Sequence, residues 1–202
     1  MRYPRLLMTS VTLLLPGCMG NDADSQKPMV TAKASPLGGA TDEQPGKQQD
    51  KGFKSRTIGG LTFDFPVSWE EKTAASTVLL AEYQLPGEAG PGRLTFSSAG
   101  GGMAMNLDRW KQQFQRGPND REPQETPIVV AGKSGTMIEL NGTFIDSFSG
   151  GSPKSDWRLL GVVIPIDGDH NFFIKLTGPK ETVQSRNLEF WKFTQSARDI
   201  RF

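Results

Sequence analysis

The run from Trp157 to Ile164 constrains the fold of this chain more than any other segment. After Arg158 it is apolar at every position, without the alternation of a strand that has one face in water. A β-strand of this composition is covered on both of its faces. We therefore expect layers of structure on both sides of at least one strand.

Strict alternation elsewhere predicts strands with one buried face. Leu61, Phe63 and Phe65 share a face, and Pro66 then ends the hydrogen-bonding ladder. A loop rich in glycine and proline at 86–92 joins the next two predicted strands. Besides 61–65 and 157–164, strands are predicted at 77–85, 93–97, 127–131, 136–144 and 171–177.

The apolar period changes to that of a helix after the third strand. Leu107, Trp110 and Phe114 stand at i, i+3 and i+7, with charged and amide side chains between them. Asn106 is the expected N-cap, because its side-chain oxygen can accept an unpaired amide of the first turn. Gly117 and the proline after it are expected to end this helix.

A second helix is predicted at the end of the chain, with Pro179 at its first position. Its apolar face contains Val183, Phe190, Phe193 and Ala197. Short turns between most strands favour an antiparallel sheet over a parallel doubly wound fold, which needs helical crossovers. The predicted fold class is α+β, an antiparallel sheet of about seven strands covered by helices.

The start of the chain carries a different kind of signal. Arg2 and Arg5 precede a roughly ten-residue apolar stretch, which is too short to cross a ~30 Å hydrocarbon core as a helix. The stretch ends at the four residues Leu15, Pro16, Gly17 and Cys18. This arrangement is typical of a secretion signal.

Those four residues resemble the lipobox of bacterial lipoproteins, although Pro16 is less usual there than serine, alanine or threonine. The resemblance implies cleavage after Gly17, a diacylglycerol on the sulfur of Cys18, and acylation of the new amino terminus. Two or more acyl chains hold a protein stably on a membrane, whereas one chain binds marginally. The alternative is an ordinary secretion signal with a chance cysteine. In the lipoprotein case the single cysteine of the chain keeps no free thiol.

Residues 19–52 have no aromatic side chain and almost no large aliphatic one, which predicts a disordered tether. The expected organisation is a lipoprotein signal peptide at 1–17, the lipidated cysteine and tether at 18–52, and a single globular domain at 53–202. By resemblance to lipoproteins of double-membraned bacteria, Met19 in place of an aspartate favours the outer membrane. The domain is thus expected on the periplasmic side, anchored by lipid on Cys18.

The charge balance narrows the class of partner. Cleavage removes Arg2 and Arg5 and leaves 21 Lys and Arg against 22 Asp and Glu. Nucleic-acid binding needs a basic surface that releases counterions, and a polybasic membrane patch needs clustered positive charge. We therefore expect no nucleic-acid partner, and membrane attachment through the lipid alone.

Two phrases resemble PsbP-like domains. The first runs from Phe63 through Asp64, Phe65 and Pro66 to Trp69, and the second runs from Phe172 to Pro179 before the terminal helix. With its lipobox and tether, the chain resembles uncharacterised bacterial lipoproteins with a PsbP-like domain. The resemblance covers about residues 59–197 and implies an antiparallel sheet sandwiched by helices. It also implies an accessory or binding role, because such domains have no shared active site.

Two clusters carry possible ligand chemistry. Gly100, Gly101 and Gly102 lie between a strand and a helix and could offer backbone amides to a phosphate, but they lack the residues of a Walker loop. A plain connection is the favoured interpretation. Asp167, Asp169 and the only histidine, His170, could ligate a divalent cation, but Asp-Gly between apolar strands is a strong hairpin signal. We expect a turn there and no metal.

Other polar and aromatic candidates are scattered. Glu139 is the best candidate for a buried acid, although the solvent side of its strand is the favoured interpretation. The sequon at Asn141 is expected to have no meaning in a bacterial lipoprotein. No nucleophile elbow occurs, so no serine triad is expected. The four tryptophans could line a ligand groove or belong to the core, and they are Trp69, Trp110, Trp157 and Trp191.

These observations predict a lipid-anchored cell-envelope protein with a non-catalytic accessory or protein-binding domain. We expect no catalytic residues, no cofactor and no metal, and an envelope protein as the partner. Two alternatives stay open: an envelope hydrolase that uses scattered carboxylates, and a carrier of a small ligand. The loops at 117–126 and 146–156 are polar and lack motifs, so the partner cannot be named from them.

Overall fold

A computed structural model describes residues 52–146 and 150–200 of the chain. The signal peptide, Gly17, Cys18 and the tether lie outside the described residues, so those assignments remain predictions. Within the described part no helix has the length and apolar character needed to span a bilayer. In chain order the elements are β1 (Phe53–Ile58), β2 (Leu61–Pro66), β3 (Glu70–Lys72), β4 (Leu79–Leu85), β5 (Gly92–Ala99), α1 (Met103–Gln112), β6 (Phe114–Gln115), β7 (Gln124–Val130), β8 (Lys133–Phe144), β9 (Lys154–Asp167), β10 (His170–Pro179), α2 (Lys180–Ser185), α3 (Asn187–Gln195) and β11 (Arg198–Asp199).

The strands form two sheets in which every neighbouring pair is antiparallel. Seven strands of the large sheet follow the order β3-β4-β5-β10-β9-β8-β6, and β7 is an eighth that also pairs with β8. The small sheet has the order β1-β2-β11. The predicted α+β class, with an antiparallel sheet of about seven strands, is confirmed.

Strand β9 lies between β8 and β10 and is buried on both faces. Leu160, Val162 and Ile164 belong to one core, and Leu159 and Val163 belong to a second core behind the sheet. The continuous apolar run thus corresponds to a strand in the middle layer of three. The prediction that both of its faces are covered is confirmed.

The first core fills the space between the large sheet and a layer made of the small sheet, α2 and α3. Leu61, Phe63 and Phe65 of β2 point into it, as their alternation predicts. The rings of Phe63 and Phe193 stack with centroids 5.1 Å apart, which joins the small sheet to α3. Fully buried aromatic rings supply much of the apolar area that stabilises such a core.

Helix α1 covers the opposite face of the large sheet and builds the second core. Trp110 of α1 packs over Gly161 of β9 and meets the ring of Phe173 edge to face, with centroids 5.7 Å apart. A Cβ atom at position 161 would lie 2.3 Å from Cζ3 of Trp110. Gly161 therefore provides the space that lets α1 approach the sheet.

The bounds of α1 differ from the prediction at both ends. Gly102 is the N-cap and carries no side-chain cap, while Asn106 is buried inside the helix. Asn106 Nδ2 instead donates to the carbonyl oxygens of Gly100, Gly101 and Gly102. The helix ends at Gln112, because Phe114 leaves it to pair with β8 in β6.

The terminal helix is two helices. Arg186, with φ −93° and ψ 2°, interrupts it between α2 and α3, and Pro179 is the residue before α2 instead of its first residue. The guanidinium of Arg186 donates to the carbonyl of Pro86 and to Glu189, which fixes the break. The chain then adds β11 to the small sheet, an element that its sequence did not predict.

Strand β1 is an edge strand that its sequence pattern also did not reveal. Lys54 and Arg56 lie opposite Phe65 and Phe63 of β2, so charged side chains occupy the inward-facing positions of this edge. Every residue of β1 except Ile58 is exposed. Inward-pointing charges on an edge strand oppose pairing with another chain.

Candidate functional site

The described surface has a groove between the β7–β8 hairpin and the two C-terminal helices, which we call the hairpin–helix groove. It has a volume of about 520 Å³ and is open to solvent. The hairpin supplies its floor and the helices supply one wall. Its lining residues are Thr126, Pro127, Ile128, Met137, Glu139, Gln184, Ser185, Asn187, Leu188 and Trp191.

Two large apolar side chains at the rim of the groove are exposed. Leu188 and Trp191 stand three positions apart on α3, with 64% and 49% of their surfaces accessible. Phe190 and Phe193 of the same helix point into the first core, so α3 has an apolar inner face and a partly apolar outer face. Adjacent exposed apolar groups at a concave surface are typical of an interaction site.

The floor of the groove contains an ion pair of unequal burial. Arg158 Nη2 of β9 donates to the Glu139 carboxylate of β8. The Glu139 side chain is 31% exposed and the Arg158 side chain only 7% exposed. A buried cation is costly without an anion beside it, so Glu139 serves as the counter-charge of Arg158. As this pair is formed within the chain, the floor presents little net charge.

Two polar atoms next to this pair are buried without a hydrogen-bond partner in the described part of the chain. They are Nε of Arg158 and Oδ1 of Asn141, two residues that lie directly opposite each other in the β8–β9 ladder. Because unpaired buried polar atoms cost free energy, a bridging water at this place would stabilise the fold. Arg158 is thus hydrogen-bonded to Glu139 through Nη2, while its Nε is left without a partner.

The edge of β7 next to the groove is protected against strand addition. Pro127 has no backbone N–H to donate, and the carbonyl of Val129 already accepts a hydrogen bond from Gln195 Nε2 at 3.1 Å. A strand added along this edge would therefore lack a hydrogen bond at Pro127 and would have to compete with Gln195 for the carbonyl of Val129. An occupant of the groove is expected to contact it through side chains and not as an added strand.

Two shallow depressions adjoin α2 and share Ser185 with the groove. They have volumes of about 740 and 600 Å³ and are both open. Charged residues are among their lining residues, with Lys180 and Glu181 in the larger and Glu88 and Arg186 in the smaller. The hairpin–helix groove differs from them in its exposed tryptophan and leucine.

The glycine cluster proposed for phosphate binding is occupied by bonds within the protein. Gly101 adopts φ +92° and its amide donates to Asp169 Oδ2 at 3.2 Å. The carbonyl of Gly101 accepts from Asn106 and from Asn171. This amide already faces a carboxylate, so the connection interpretation fits the structure better than a phosphate site.

The Asp167 to His170 segment forms the hairpin turn between β9 and β10, as predicted. Gly168, with φ +49°, and Asp169 are the two turn residues, and His170 begins β10 opposite Asp167. Across residues 52–146 and 150–200, no group of three or more His, Cys, Asp or Glu side chains is arranged to hold a metal ion. The absence of a metal from the expected function remains a prediction.

The remaining candidates are separated by the structure. Trp69 and Trp110 are buried, Trp157 packs against the second core, and Trp191 lines the groove. Asn141 of the sequon is buried, which makes its side chain inaccessible to glycosylation in the folded domain. Glu139 is only partly buried and is found at the floor of the open groove, where it pairs with Arg158.

Sequence reasoning missed the groove residue Leu188 and the role of Arg158. Leu188 precedes the apolar face of α3 and lies outside its 3.6-residue period, so the periodicity gave no reason to single it out. Arg158 stands out as the one charge that precedes six apolar residues of the central strand. A charged residue at the start of a buried strand indicates a buried ion pair. Its partner, Glu139, lies on another strand, so the neighbouring sequence does not identify it.

Comparison with known proteins supports the fold. The structure is similar to the solution structure of cyanobacterial PsbP (CyanoP) from Synechocystis sp. PCC 6803, with a TM-score of 0.50 and 11% identity over 77% of this chain and 97% of that one. The fold is PsbP-like. A crystal structure of PA94, a protein of unknown function from Pseudomonas aeruginosa, matches with a TM-score of 0.43 and 13% identity over 72% of this chain and 95% of that one, a score too low to support an argument.

Sequence comparison does not identify a family for this chain. No protein-family model matches the chain, and no curated protein matches it significantly. At 11% identity the PsbP-like domain is a likeness of fold only. Function has to be argued from the groove and from the sequence of the amino-terminal segment.

Proposed function

We propose that this chain is a lipid-anchored protein of the bacterial cell envelope whose PsbP-like domain binds a partner protein in the hairpin–helix groove and catalyses no reaction. The observation that carries the proposal is the concave groove with Leu188 and Trp191 exposed at its rim. Tryptophan is the residue type that most often dominates binding at protein interfaces, and it does so beside apolar pockets. The neutralised ion pair beneath it gives the floor polar specificity without a free charge.

The anchor is supported by the lipobox resemblance at Leu15 to Cys18 and rests on the sequence alone. Expression in a lipoprotein-processing bacterium, followed by intact-mass analysis, tests it. We expect a chain that begins at Cys18 and carries the added mass of its lipids. A Cys18→Ser variant is expected in the soluble fraction, and retention of that variant on the membrane would contradict the anchor without touching the groove proposal.

The groove is tested by site-specific photo-crosslinking in the full-length chain on envelope membranes. A photoreactive amino acid at position 191 is compared with one at position 105, since Met105 of α1 is 52% exposed and lies on the opposite face. We expect a discrete protein adduct from position 191 alone. Adding Leu188→Glu should remove it, because a charge at the rim disfavours an apolar occupant.

Equal adducts from both positions, or an adduct that survives Leu188→Glu, would refute binding at the groove. The same preparation distinguishes the alternatives. A small-ligand carrier should bind in the groove without a protein adduct and should be stabilised by its ligand through mass action. An envelope hydrolase should lose activity when Glu139→Gln is made, although Glu139 is engaged with Arg158 and therefore gains little support as a catalytic acid.

A further inference from the structure

The hairpin–helix groove is continuous with the two shallow depressions beside α2, which we call the α2 depressions. Gln184 and Ser185 line both the groove and the larger depression, and Ser185 also lines the smaller one. Glu181 precedes Trp191 by ten positions along α2 and α3, which is about 15 Å of helical backbone. A segment that lies against Trp191 can therefore extend into the α2 depressions.

Three exposed carboxylates surround the α2 depressions. Glu181 lines both of them, Asp156 lines the larger and Glu88 lines the smaller. None of the three forms a salt bridge within the described part of the chain. Their negative charges are therefore presented to solvent.

The cations that line the α2 depressions each face an anion of the chain. Lys180 Nζ lies 3.9 Å from Asp120 Oδ1. Arg186 Nη1 donates to Glu189 Oε2 at 2.8 Å, and the same guanidinium donates to the carbonyl of Pro86. The net charge around the depressions is consequently negative, whereas the ion pair at the floor of the groove leaves that end close to neutral.

We propose that the partner segment presents an apolar side chain to Leu188 and Trp191 and a lysine or arginine to the carboxylates of the α2 depressions. This inference rests on the proposed function, binding of a partner protein in the hairpin–helix groove, and adds the chemistry of the bound segment. Complementary charges at the rim of an interface fix the orientation of the partner and disfavour partners of like charge. A segment with the same apolar residue but an acidic flank is repelled by Glu181.

Charge reversal in the full-length chain on envelope membranes tests this proposal, with the photoreactive amino acid again at position 191. Glu181→Lys is compared with Asp167→Lys, which changes the net charge equally. Asp167 is exposed, lines neither the groove nor the α2 depressions, and lies eleven positions from Asp156 on β9, about 35 Å away. We expect Glu181→Lys to lower the adduct yield about 3- to 10-fold at low salt and Asp167→Lys to leave it unchanged. The difference should shrink at about 0.5 M salt.

Peptide mapping of the adduct by mass spectrometry identifies the partner segment. A lysine or arginine should lie within about ten residues of the crosslinked one, since 15 Å takes about five residues in an extended segment and about ten in a helix. Exchanging that basic residue for glutamate should lower the yield with the wild-type chain and restore it with Glu181→Lys.

The outcomes separate this inference from the proposed function. An adduct that Leu188→Glu removes but Glu181→Lys leaves unchanged would overturn the basic segment and leave binding at the groove intact. The same holds if the charge exchange in the partner restores nothing. No adduct from position 191 would overturn both proposals, and a crosslink to a second copy of this chain or to a lipid would replace the partner protein by that occupant.

Discussion

Replacing Gly161 by alanine tests how closely α1 is packed on the sheet. The new Cβ would lie 2.3 and 2.8 Å from Cζ3 and Cε3 of Trp110, and 3.0 Å from Cδ2 of Leu159. Ordinary carbon contacts begin near 3.5 Å, so the indole has to move by about 1 Å or more. Overpacking of a well-filled core by one methyl costs about 1–3 kcal/mol, and we expect about 2 kcal/mol here because the ring also contacts Phe173.

Urea unfolding followed by far-ultraviolet circular dichroism measures this free energy. The matched control is Gly102→Ala, since a Cβ there meets nothing within 4 Å. Exchanging an N-cap glycine for alanine should itself cost about 0.5–1 kcal/mol, which is less than the cost expected for Gly161→Ala. In a double-mutant cycle, Gly161→Ala should cost at least about 1 kcal/mol less in the Trp110→Leu background than in the wild-type background. A Gly161→Ala chain as stable as the control, or strict additivity with Trp110→Leu, would refute the packing argument.

Three further changes have signs that follow from the charges. The pKa of Lys175 is about 8 in the fold and 10.5 unfolded, so the native state binds fewer protons between those values and stability should rise from pH 8 to 10.5. Lys175→Met should flatten that rise and stabilise the domain at pH 7 by about 1–3 kcal/mol, as measured by urea unfolding across pH. Glu139→Gln leaves the buried Arg158 cation unpaired, and it should lower the melting temperature more than Arg158→Met, which leaves a partly exposed carboxylate. Equal losses would contradict this asymmetry. Hydrogen bonds from Arg198 and Ser55 lower the pKa of Asp64 to about 2, so its contribution is present above pH 4 and lost as the pH falls toward 2. Asp64→Asn should reduce that acid sensitivity by less than about 1 kcal/mol, and 0.5 M salt should shrink the difference, because the pair is on the surface.

The parts of the fold that sequence predicted are those with a regular apolar period. Leu61, Phe63 and Phe65 alternate because one face of β2 is buried, and the run after Arg158 is unbroken because β9 has two buried faces. Both patterns report local burial, which is why they are sufficient to place these strands and their buried faces, whereas the antiparallel arrangement follows from the short turns between strands.

The elements that escaped prediction owe their existence to partners distant in the chain. Strand β11 has only Arg198 and Asp199, and it forms because Thr62 and Leu61 offer an unpaired edge more than 130 residues earlier. Asn106 has the residue type of an N-cap, but the three glycine carbonyls before α1 attract its amide more effectively. Such choices depend on tertiary contacts that override local preference.

The candidate groove was predictable only in part for the same reason. Trp191 is one of four tryptophans that could line a ligand groove, and nothing in the sequence separates it from the other three, which are buried or packed against a core. Phe190 and Phe193 take the core positions of α3, and Trp191 and Leu188 lie on the side of the helix that faces away from that core.

If the domain is held from its amino-terminal side, as proposed, the exposed edge strand β1 has a mechanical consequence. A pull applied at Gly52 loads first the hydrogen bond from the Val67 N–H to the Gly52 carbonyl oxygen, and then the first rung of the β1–β2 ladder, Phe53 against Pro66. Because β1 buries only Ile58, its detachment exposes little apolar surface, and it breaks mainly the ladder and the exposed hydrogen bonds of Ser55 and Thr57. Detached, its six residues lengthen the connection by about 20 Å, while β2 stays fixed by Phe63 and Phe65 in the core. β1 can thus take up tension by extending while the rest of the domain stays folded.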